Sequence, residues 1–456
     1  MRVDSDTIFA LATPVGRGAL AVVRLSGSES FALAESLLSS KSLPPIGKLS
    51  RRLLYAPDTG ELLDEAMVVR YKAPATYTGE DVVELHLHGA PVLVNLVLTL
   101  LVSSGGRPAR PGEFTLRAFL NGKKDLTQAE AVHDLVAARS PAAVKQAATQ
   151  LLGDVREHLD RLQEQLLKLV AELDAELDFP DDVDSMDSGE LREVVARLEQ
   201  DCRMLAASYS SGRLIKEGFR VALVGAPNAG KSSLFNALLG VERAIVTTEA
   251  GTTRDYLEEV LPVGSVALVL IDTAGVRQSA SIAEQAGVDR TAAIACAADA
   301  VLFLVDSTRP WNDQDEMALQ AVMDAALVPV LTKVDCPAGY GVFPSSLFGG
   351  GGASHQVSSH TGEGLHDLRE GLVGMALEVL GGATEEVCLT SARQYDAMTQ
   401  VTLRLAEVLD GMSHLPRDVI AIELRRALLH FHELTGEGHL DEGILDVIFS
   451  SFCIGK

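Results

Sequence analysis

The stretch Val221–Ser232 constrains this chain more than any other. It reads Val-Ala-Leu-Val-Gly-Ala-Pro-Asn-Ala-Gly-Lys-Ser. A short apolar strand ends at Gly225, a loop follows, and Gly230, Lys231 and Ser232 open a helix that runs on through Leu234, Phe235, Ala237 and Leu238. The spacing G-x-x-x-x-G-K-S is that of a phosphate-binding loop. Glycines let successive backbone N–H groups face an anion, and the helix N-terminus adds the positive end of its dipole. The Lys231 ammonium reaches the outer phosphates, and the Ser232 hydroxyl suits Mg²⁺.

Such a loop does not by itself select a base or a reaction, so the downstream residues decide. The strand Val266–Ile271 ends in Asp272, Thr273, Ala274 and Gly275, which can bring a carboxylate near Mg²⁺ and a glycine amide near a γ-phosphate. After the strand Val301–Asp306, the run Val328–Leu331 delivers Thr332, Lys333, Val334 and Asp335. A carboxylate here can accept two N–H bonds from guanine, and adenine offers no matching donors. The three motifs, in this order and each at the end of an apolar strand, predict a GTP hydrolase. Two positions depart from the usual pattern of such proteins. Thr332 stands where Asn is common, and Ser358, Ser359 and His360 stand in place of a Ser-Ala-Lys loop. Directly after Gly275 comes Val276, which can neither donate nor accept, so another element must orient the attacking water. Asn228 and the segment Thr247–Asp255 are candidates, because Asn side chains and backbone carbonyls are good ligands for hard cations.

The surrounding chain is long enough for several domains, with 456 residues of which 47% are apolar and 22% charged. Residues 1–120 alternate short strands with some helix, as an α+β domain does: strands at Ala19–Leu25, Ala66–Tyr71 and Asp81–His88, helices at Ser28–Ser39 and Pro91–Ser103, the last expected to be buried. Residues 121–216 carry apolar positions at spacings of three and four, predicting long amphipathic helices over Leu126–Leu152, Val155–Leu177 and Ser188–Ser210. The phosphate-loop domain occupies 217–380, with Gly349–Gly352 read as a flexible insertion. Helical periodicity returns in 381–456, over Ser391–Leu409, Val419–Leu434 and Asp441–Phe452. Helices on both sides of a self-contained α/β domain imply an insertion into one split helical domain. The expected class is therefore multidomain α/β, with a P-loop domain, whose motifs resemble those of Ras-like G proteins, inserted into a helical domain behind an α+β N-terminal domain.

A net charge of −24 repels a polyanion at long range, so work on nucleic acid needs a local basic patch or a basic partner. Five scattered cysteines without a C-x-x-C pair suggest free thiols. The acidic start and the absence of a long apolar run predict a cytoplasmic protein with no membrane span.

Several runs together resemble the tRNA-modification GTPase family called MnmE or TrmE. They are Gly225–Asn236, Ala250–Asp255, Pro111–Ala131 and the terminal Phe452-Cys-Ile-Gly-Lys456. The resemblance spans almost the whole chain. It implies a homodimer whose N-terminal domain binds 5-formyltetrahydrofolate or a related tetrahydrofolate and dimerises. It also implies an FAD-dependent MnmG/GidA-type partner, in a heterotetramer, through which tRNA is mainly held. The implied reaction adds a carboxymethylaminomethyl or aminomethyl group to carbon 5 of the wobble uridine of certain tRNAs. Hydrolysis of GTP with Mg²⁺ would be stimulated by K⁺.

Carried over residue by residue, the resemblance puts GTP on Asn228, Ala229, Gly230, Lys231, Ser232 and Ser233, and on Thr247, Thr248, Glu249, Ala250, Gly251, Thr252 and Thr253. Asp272–Gly275, Thr332–Asp335 and Ser358–His360 complete that set. Mg²⁺ falls to Ser232 and Thr253, and K⁺ to Asn228, Thr247, Glu249 and Thr252. Glu284 matches a carboxylate that helps orient water, beside Lys231 as the second catalytic group. The folate positions are Arg24, Glu84, Lys123 and Lys456. Cys453 is a candidate active thiol with no assigned role, and by its residue type alone it reads as a core cysteine.

The strand itself supports a pocket near Glu84. In Glu84-Leu-His86-Leu-His88 the period of two sets Glu84, His86 and His88 on one face and Val83, Leu85 and Leu87 on the other. A carboxylate there could accept N–H bonds from a pterin-like ring. A two-histidine, one-carboxylate metal site and a solvated polar face are the other readings. At the level of the whole chain, the alternative is a regulatory G-protein switch that binds RNA or ribosomes without modification chemistry.

Overall fold

A computed structural model describes residues 6–39, 42–182, 185–240, 257–273, 291–337, 354–381, 387–436 and 442–456. The chain divides into two compact units, one gathering 1–136, 147–203 and 396–456, the other 137–146 and 204–395.

The first unit holds a six-stranded sheet. Its strands are β1 (Ile8–Leu11), β2 (Gly18–Ser26), β3 (Ser50–Tyr55), β4 (Leu62–Tyr71), β5 (Val82–Gly89) and β6 (Arg107–Pro108), in the order β3-β4-β5-β2-β1-β6. All neighbours are antiparallel except β1 and β6. Alternation decides its faces. Val83, Leu85 and Leu87 of β5 are fully buried with Val23 and Leu25 of β2, under helices α1 (Ser30–Ser36) and α2 (Pro91–Ser103). The helix α2 has the expected limits, with Pro91 at its first turn, where the missing N–H costs nothing. The expectation that it is buried is corrected. Only the side bearing Val94, Val97 and Leu101 is covered, while Val92, Leu96 and Val102 are exposed, because the sheet reaches one side of the cylinder.

The opposite sheet face carries Arg24 and Glu84, directly across from each other in the β2–β5 register. Beyond it lie α3 (Glu113–Leu120) and α4 (Leu126–Ala137). The predicted helix Leu126–Leu152 is two helices, α4 and α5 (Pro141–Leu152), because Pro141 disfavours a helical Ser140. Ser140 instead turns its hydroxyl to accept from Ala143 N at 3.1 Å. The helix α6 (Asp154–Asp178) buries Val155, Leu159, Leu162, Leu166, Leu169 and Leu173, a stripe spaced by threes and fours. It packs against the helix Arg417–Thr435, which buries Ile420, Leu424, Leu428 and Phe431, and Arg425 and Arg417 reach Asp174 and Glu176. Segments far apart in sequence thus share one helical layer, with α7 (Ser188–Ala207) beginning after the acidic loop.

In the second unit the sheet order is β12-β11-β10-β7-β9-β8. The strands are β7 (Phe219–Gly225), β8 (Leu257–Val263), β9 (Val266–Asp272), β10 (Ala300–Asp306), β11 (Leu327–Thr332) and β12 (His355–Val357), parallel except for the β8–β9 hairpin. β9 and β10 are buried at every position, as expected of a sheet covered on both faces. The strand β7 lies between β9 and β10, so the chain crosses to opposite sides around it. The loop after β7 therefore opens at a topological switch point, where α/β sheets hold ligands. Helix α8 (Tyr209–Glu217) leads into β7, and α9 (Lys231–Gly240) follows the loop.

Candidate functional site

The loop between β7 and α9 is built by close approach. A Cβ on Gly225 would stand 2.4 Å from the Leu304 carbonyl of β10, so only glycine lets the two strands end side by side. Asn228 adopts φ 64°, a left-handed conformation that Asn tolerates better than most residues, and Gly230 adopts φ 93°. The Lys231 ammonium is 9% exposed and donates to the carbonyls of Gly225 and Ala226, each at 2.8 Å. It thus closes the loop on itself and keeps its charge beside the helix N-terminus. Ser232 Oγ donates to Asp272 Oδ2 at 3.0 Å. Two hard oxygen donors from different motifs are side by side, a donor set that fits Mg²⁺. Thr273 Oγ1 donates to Leu223 O at 2.6 Å and pins the end of β9 to β7.

At the end of β11, Thr332 is 2% exposed, and its hydroxyl lies 2.8 Å from Ala229 O and 3.2 Å from Val305 O. The departure from Asn therefore retains a link between the Thr332–Asp335 segment and the loop after β7. A threonine hydroxyl has one proton, and here it goes to the backbone. Lys333, at φ 62°, pairs with Asp306 at 2.6 Å. Burial of Asp306 favours its neutral form, but hydrogen bonds from Lys333 and Thr308 outweigh this and hold its carboxyl below the usual range. Asp335 is exposed beside the loop after β12. A hydrogen bond from Ser358 holds its carboxyl below the ordinary value. The buried Ser358 Oγ also accepts from His360 N at 3.2 Å and Thr361 N at 3.0 Å, so Ser358–His360 forms a turn with Asp335 at its edge.

Thus Asn228–Ser233, Asp272, Thr273, Thr332–Asp335 and Ser358–His360 come together at one end of one sheet. Thr247–Thr253, Ala274, Gly275, Val276 and Glu284 lie outside the described residues, as does Gly349–Gly352. Of the K⁺ candidates only Asn228 is described, and of the Mg²⁺ candidates only Ser232. Asp306 was not foreseen as part of this site; its signal was an aspartate closing an apolar strand beside two others of the same kind.

The first unit contains a separate cavity of about 610 Å³. Arg24, Glu84, Lys123 and Lys456 all line it, although they come from β2, β5, the α3–α4 turn and the last residue of the sequence. Arg24 and Glu84 form an ion pair at 2.9 Å on facing strands. The Arg24 guanidinium also lies 5.9 Å from the rings of Tyr77 and Phe114. Tyr77 Oη shares a hydrogen bond with Thr115 Oγ1 at 2.9 Å, which fixes its ring in the wall, and burial raises its pKa. Tyr71, Val132, Leu135 and Leu151 supply the apolar lining. Lysine 124 lines the cavity too, with its ammonium 5.8 Å from the Tyr77 ring. Lys124 and Tyr77 thus join the four expected residues, and no local feature of the pair Lys123-Lys124 distinguishes the two lysines.

The three polar residues of β5 do not act together. His86 Nε2 lies 3.4 Å from Glu84 Oε2, but His88 turns its Nδ1 to Asp64 at 2.6 Å and leaves the cavity. Among the described residues no group of three His, Cys, Asp or Glu side chains could hold a metal ion.

The tail docks through a second close approach. A Cβ on Gly455, at φ 98°, would stand 2.4 Å from Leu11 O. Phe452 is buried against Phe449 and His133, with ring centroids 5.2 and 5.0 Å away. Cys453 is exposed between these anchors, which corrects the reading of it as a core cysteine. Cys202 and Cys388 are the buried thiols, and burial pushes them up to about 12 and about 11.

Two family models match. "GTP-binding protein TrmE N-terminus" covers residues 7–123 and "MnmE helical domain" covers 126–453. Among curated relatives, the tRNA modification GTPase MnmE of Natranaerobius thermophilus is 40% identical over 99% of this chain and 99% of its own. The protein of the same name from Thermotoga maritima is 37% identical over 99% and 100%. Among solved structures, the G domain of the T. maritima FeoB iron transporter aligns with 34% of this chain and 98% of its own, at 29% identity and a TM-score of 0.25. Among the described residues no helix is long and apolar enough to cross a membrane.

Proposed function

Because this chain belongs to the MnmE family of tRNA modification GTPases, its GTP hydrolysis serves tRNA modification, and we propose that a tetrahydrofolate bound in the first unit supplies the one-carbon unit. The observation that carries the reading is the cavity. Four residues named for folate binding, spread from Arg24 to Lys456, line it together. Glu84 has the oxygens to accept N–H bonds from a pterin-like ring, and the tyrosine and aliphatic walls suit an aromatic body.

In the second unit, Lys231 and the loop amides hold the phosphates and Asp335 selects guanine. Ser232 and Asp272 would hold Mg²⁺, which offsets charge on the transferring phosphoryl group. Asn228 supports a K⁺ site, since it places an amide oxygen, a good ligand for a hard cation, in the loop before the helix. In this reading Asn228, Thr247, Glu249 and Thr252 would hold K⁺, which would supply positive charge beside the phosphates, and Glu284 takes the water-orienting role that Val276 cannot fill. The protein works as a cytoplasmic homodimer with an FAD-dependent partner of the MnmG/GidA type, in a heterotetramer that holds tRNA mainly through the partner. The product is a carboxymethylaminomethyl or aminomethyl group on carbon 5 of the wobble uridine. Cys453 stands near the cavity as an exposed thiol whose part in this chemistry is open to substitution by serine.

Titration of the purified chain with 5-formyltetrahydrofolate, and GTP turnover in KCl against NaCl, test the two halves. Saturable folate binding and faster turnover in KCl are expected. Undetectable binding at millimolar ligand would overturn the folate assignment, and equal rates in both salts the K⁺ assignment.

A further inference from the structure

The cavity holds more positive charge than a pterin ring and one carboxylate partner require. Arg24, Lys123, Lys124 and Lys456 line it, against Glu84 as its acidic residue. Glu84 is already engaged by Arg24 at 2.9 Å. Among the described residues none of the three lysine ammoniums forms an ion pair, and Asp125 acts on Lys124 only from a longer distance. Like charges converging on a partly enclosed space repel one another, and an anion between them relieves that cost.

Lys124 is the informative member. It is half-buried, and its ammonium lies over the Tyr77 ring at 5.8 Å, so it is held along the wall. That ring is itself fixed by Thr115 and also faced by Arg24 at 5.9 Å. Burial lowers the pKa of Lys124, with Asp125 opposing, and burial lowers that of Lys456 as well. Both ammoniums are thus partly desolvated, and a bound anion would recover that loss.

We propose that Lys124, with Lys123 and Lys456, receives the carboxylate-bearing end of the ligand, so that this chain favours folates carrying several γ-linked glutamyl residues over the monoglutamyl form. This rests on the folate reading above. Each added γ-linked residue brings one more carboxylate, so the longer forms can match three ammoniums where the two carboxylates of the monoglutamyl form cannot.

The test is calorimetric titration of the full-length protein with monoglutamyl and triglutamyl 5-formyltetrahydrofolate, for the unaltered chain, Lys124→Met and Lys124→Arg. The triglutamyl form should bind roughly tenfold tighter, as one or two partly buried ion pairs imply. Raising the salt should shrink that ratio. Lys124→Met keeps the length of the stem and should bring the ratio towards one mainly by weakening the triglutamyl form, and Lys124→Arg should restore it. Equal affinities for the two ligands in the unaltered protein, or an undiminished ratio in Lys124→Met, would overturn the proposal and leave folate binding intact. Failure of both ligands to bind would overturn the folate reading and this inference with it.

Discussion

The two candidate sites satisfy their charges in opposite ways. At the phosphate loop four polar side chains have partners within the protein. Lys231 bonds to loop carbonyls, Ser232 to Asp272, Thr332 to Ala229 and Lys333 to Asp306. In the cavity of the first unit, one ion pair between Arg24 and Glu84 stands beside three lysines that form no ion pair among the described residues. A site made of neighbouring strand ends can be organised by its own backbone, because β7, β9, β10 and β11 finish in line and offer carbonyls and hydroxyls at fixed spacing. A cavity assembled from distant segments has no such local frame. Its geometry comes from the β2–β5 register and from docking of the tail, and in the proposed reading an anionic ligand would supply part of the missing charge balance.

The largest expected effect tests whether the two sites are separable. Lys231→Ala removes the ammonium from a site of charge transfer and should lower GTP turnover at least about a hundredfold. Folate binding should stay within about twofold. Conversely Glu84→Gln should weaken folate binding roughly tenfold. A Lys231→Ala protein that also loses the folate would break the contrast, as calorimetry on both variants will tell.

A smaller effect probes the self-organisation of the loop. Thr332→Val is nearly isosteric and leaves the Ala229 carbonyl without this donor. The expected result is a rise of about fivefold in KM for GTP with kcat changed less than twofold, and an unaltered preference for GTP over ATP, as the proposed assignment of selectivity to Asp335 requires. Lost selectivity would mean that Thr332 touches the base.

The smallest effect concerns acid. In the first unit Arg117, 2% exposed, meets Asp6, Glu80 and Glu113, and Arg107 pairs with Asp6 and Glu113. Burial opposes ionisation of Asp6 and Glu113, but hydrogen bonds from Arg107, joined by Arg117 at Asp6 and by the Arg110 N–H at Glu113, hold both carboxyls below their ordinary values of 3.8 and 4.5. The folded pKa values are depressed, so the stabilisation is complete above about pH 4.5 and is lost as pH falls through the folded values. Arg107→Gln should therefore lower the melting temperature at pH 7 by a few degrees and make less difference at pH 3. Melting curves of equal displacement at both pH values would remove the network from the account.

The sequence revealed the first site more fully than the second for a physical reason. Gly225, Gly230, Lys231 and Ser232 are contiguous, and Asp272 and Thr332 each close an apolar strand, so local spacing carried the geometry. Arg24 and Glu84 were nameable only through the family resemblance, because their pairing is a matter of register between strands about sixty residues apart. Lys124 was missed since nothing local says which of two adjacent lysines enters a cavity. The same limit applied to α2 and α4. Apolar content marked Pro91–Ser103 as a helix but could not say that one side would be left uncovered. Periodicity ran through Ser140-Pro141, where backbone sterics stop the helix.

The contact of Gly455 with Leu11 has a consequence in time. Synthesis makes the β1 strand among the first residues and the segment that rests on it more than four hundred residues later. The α/β unit with its phosphate loop is complete in sequence well before that, at about Tyr395. A nascent chain can therefore acquire its hydrolytic machinery while the wall formed by Lys456 is still inside the ribosome. The cavity of the first unit therefore takes its final form only after the strands around it have been made, once the segment that Gly455 seats against β1 is in place.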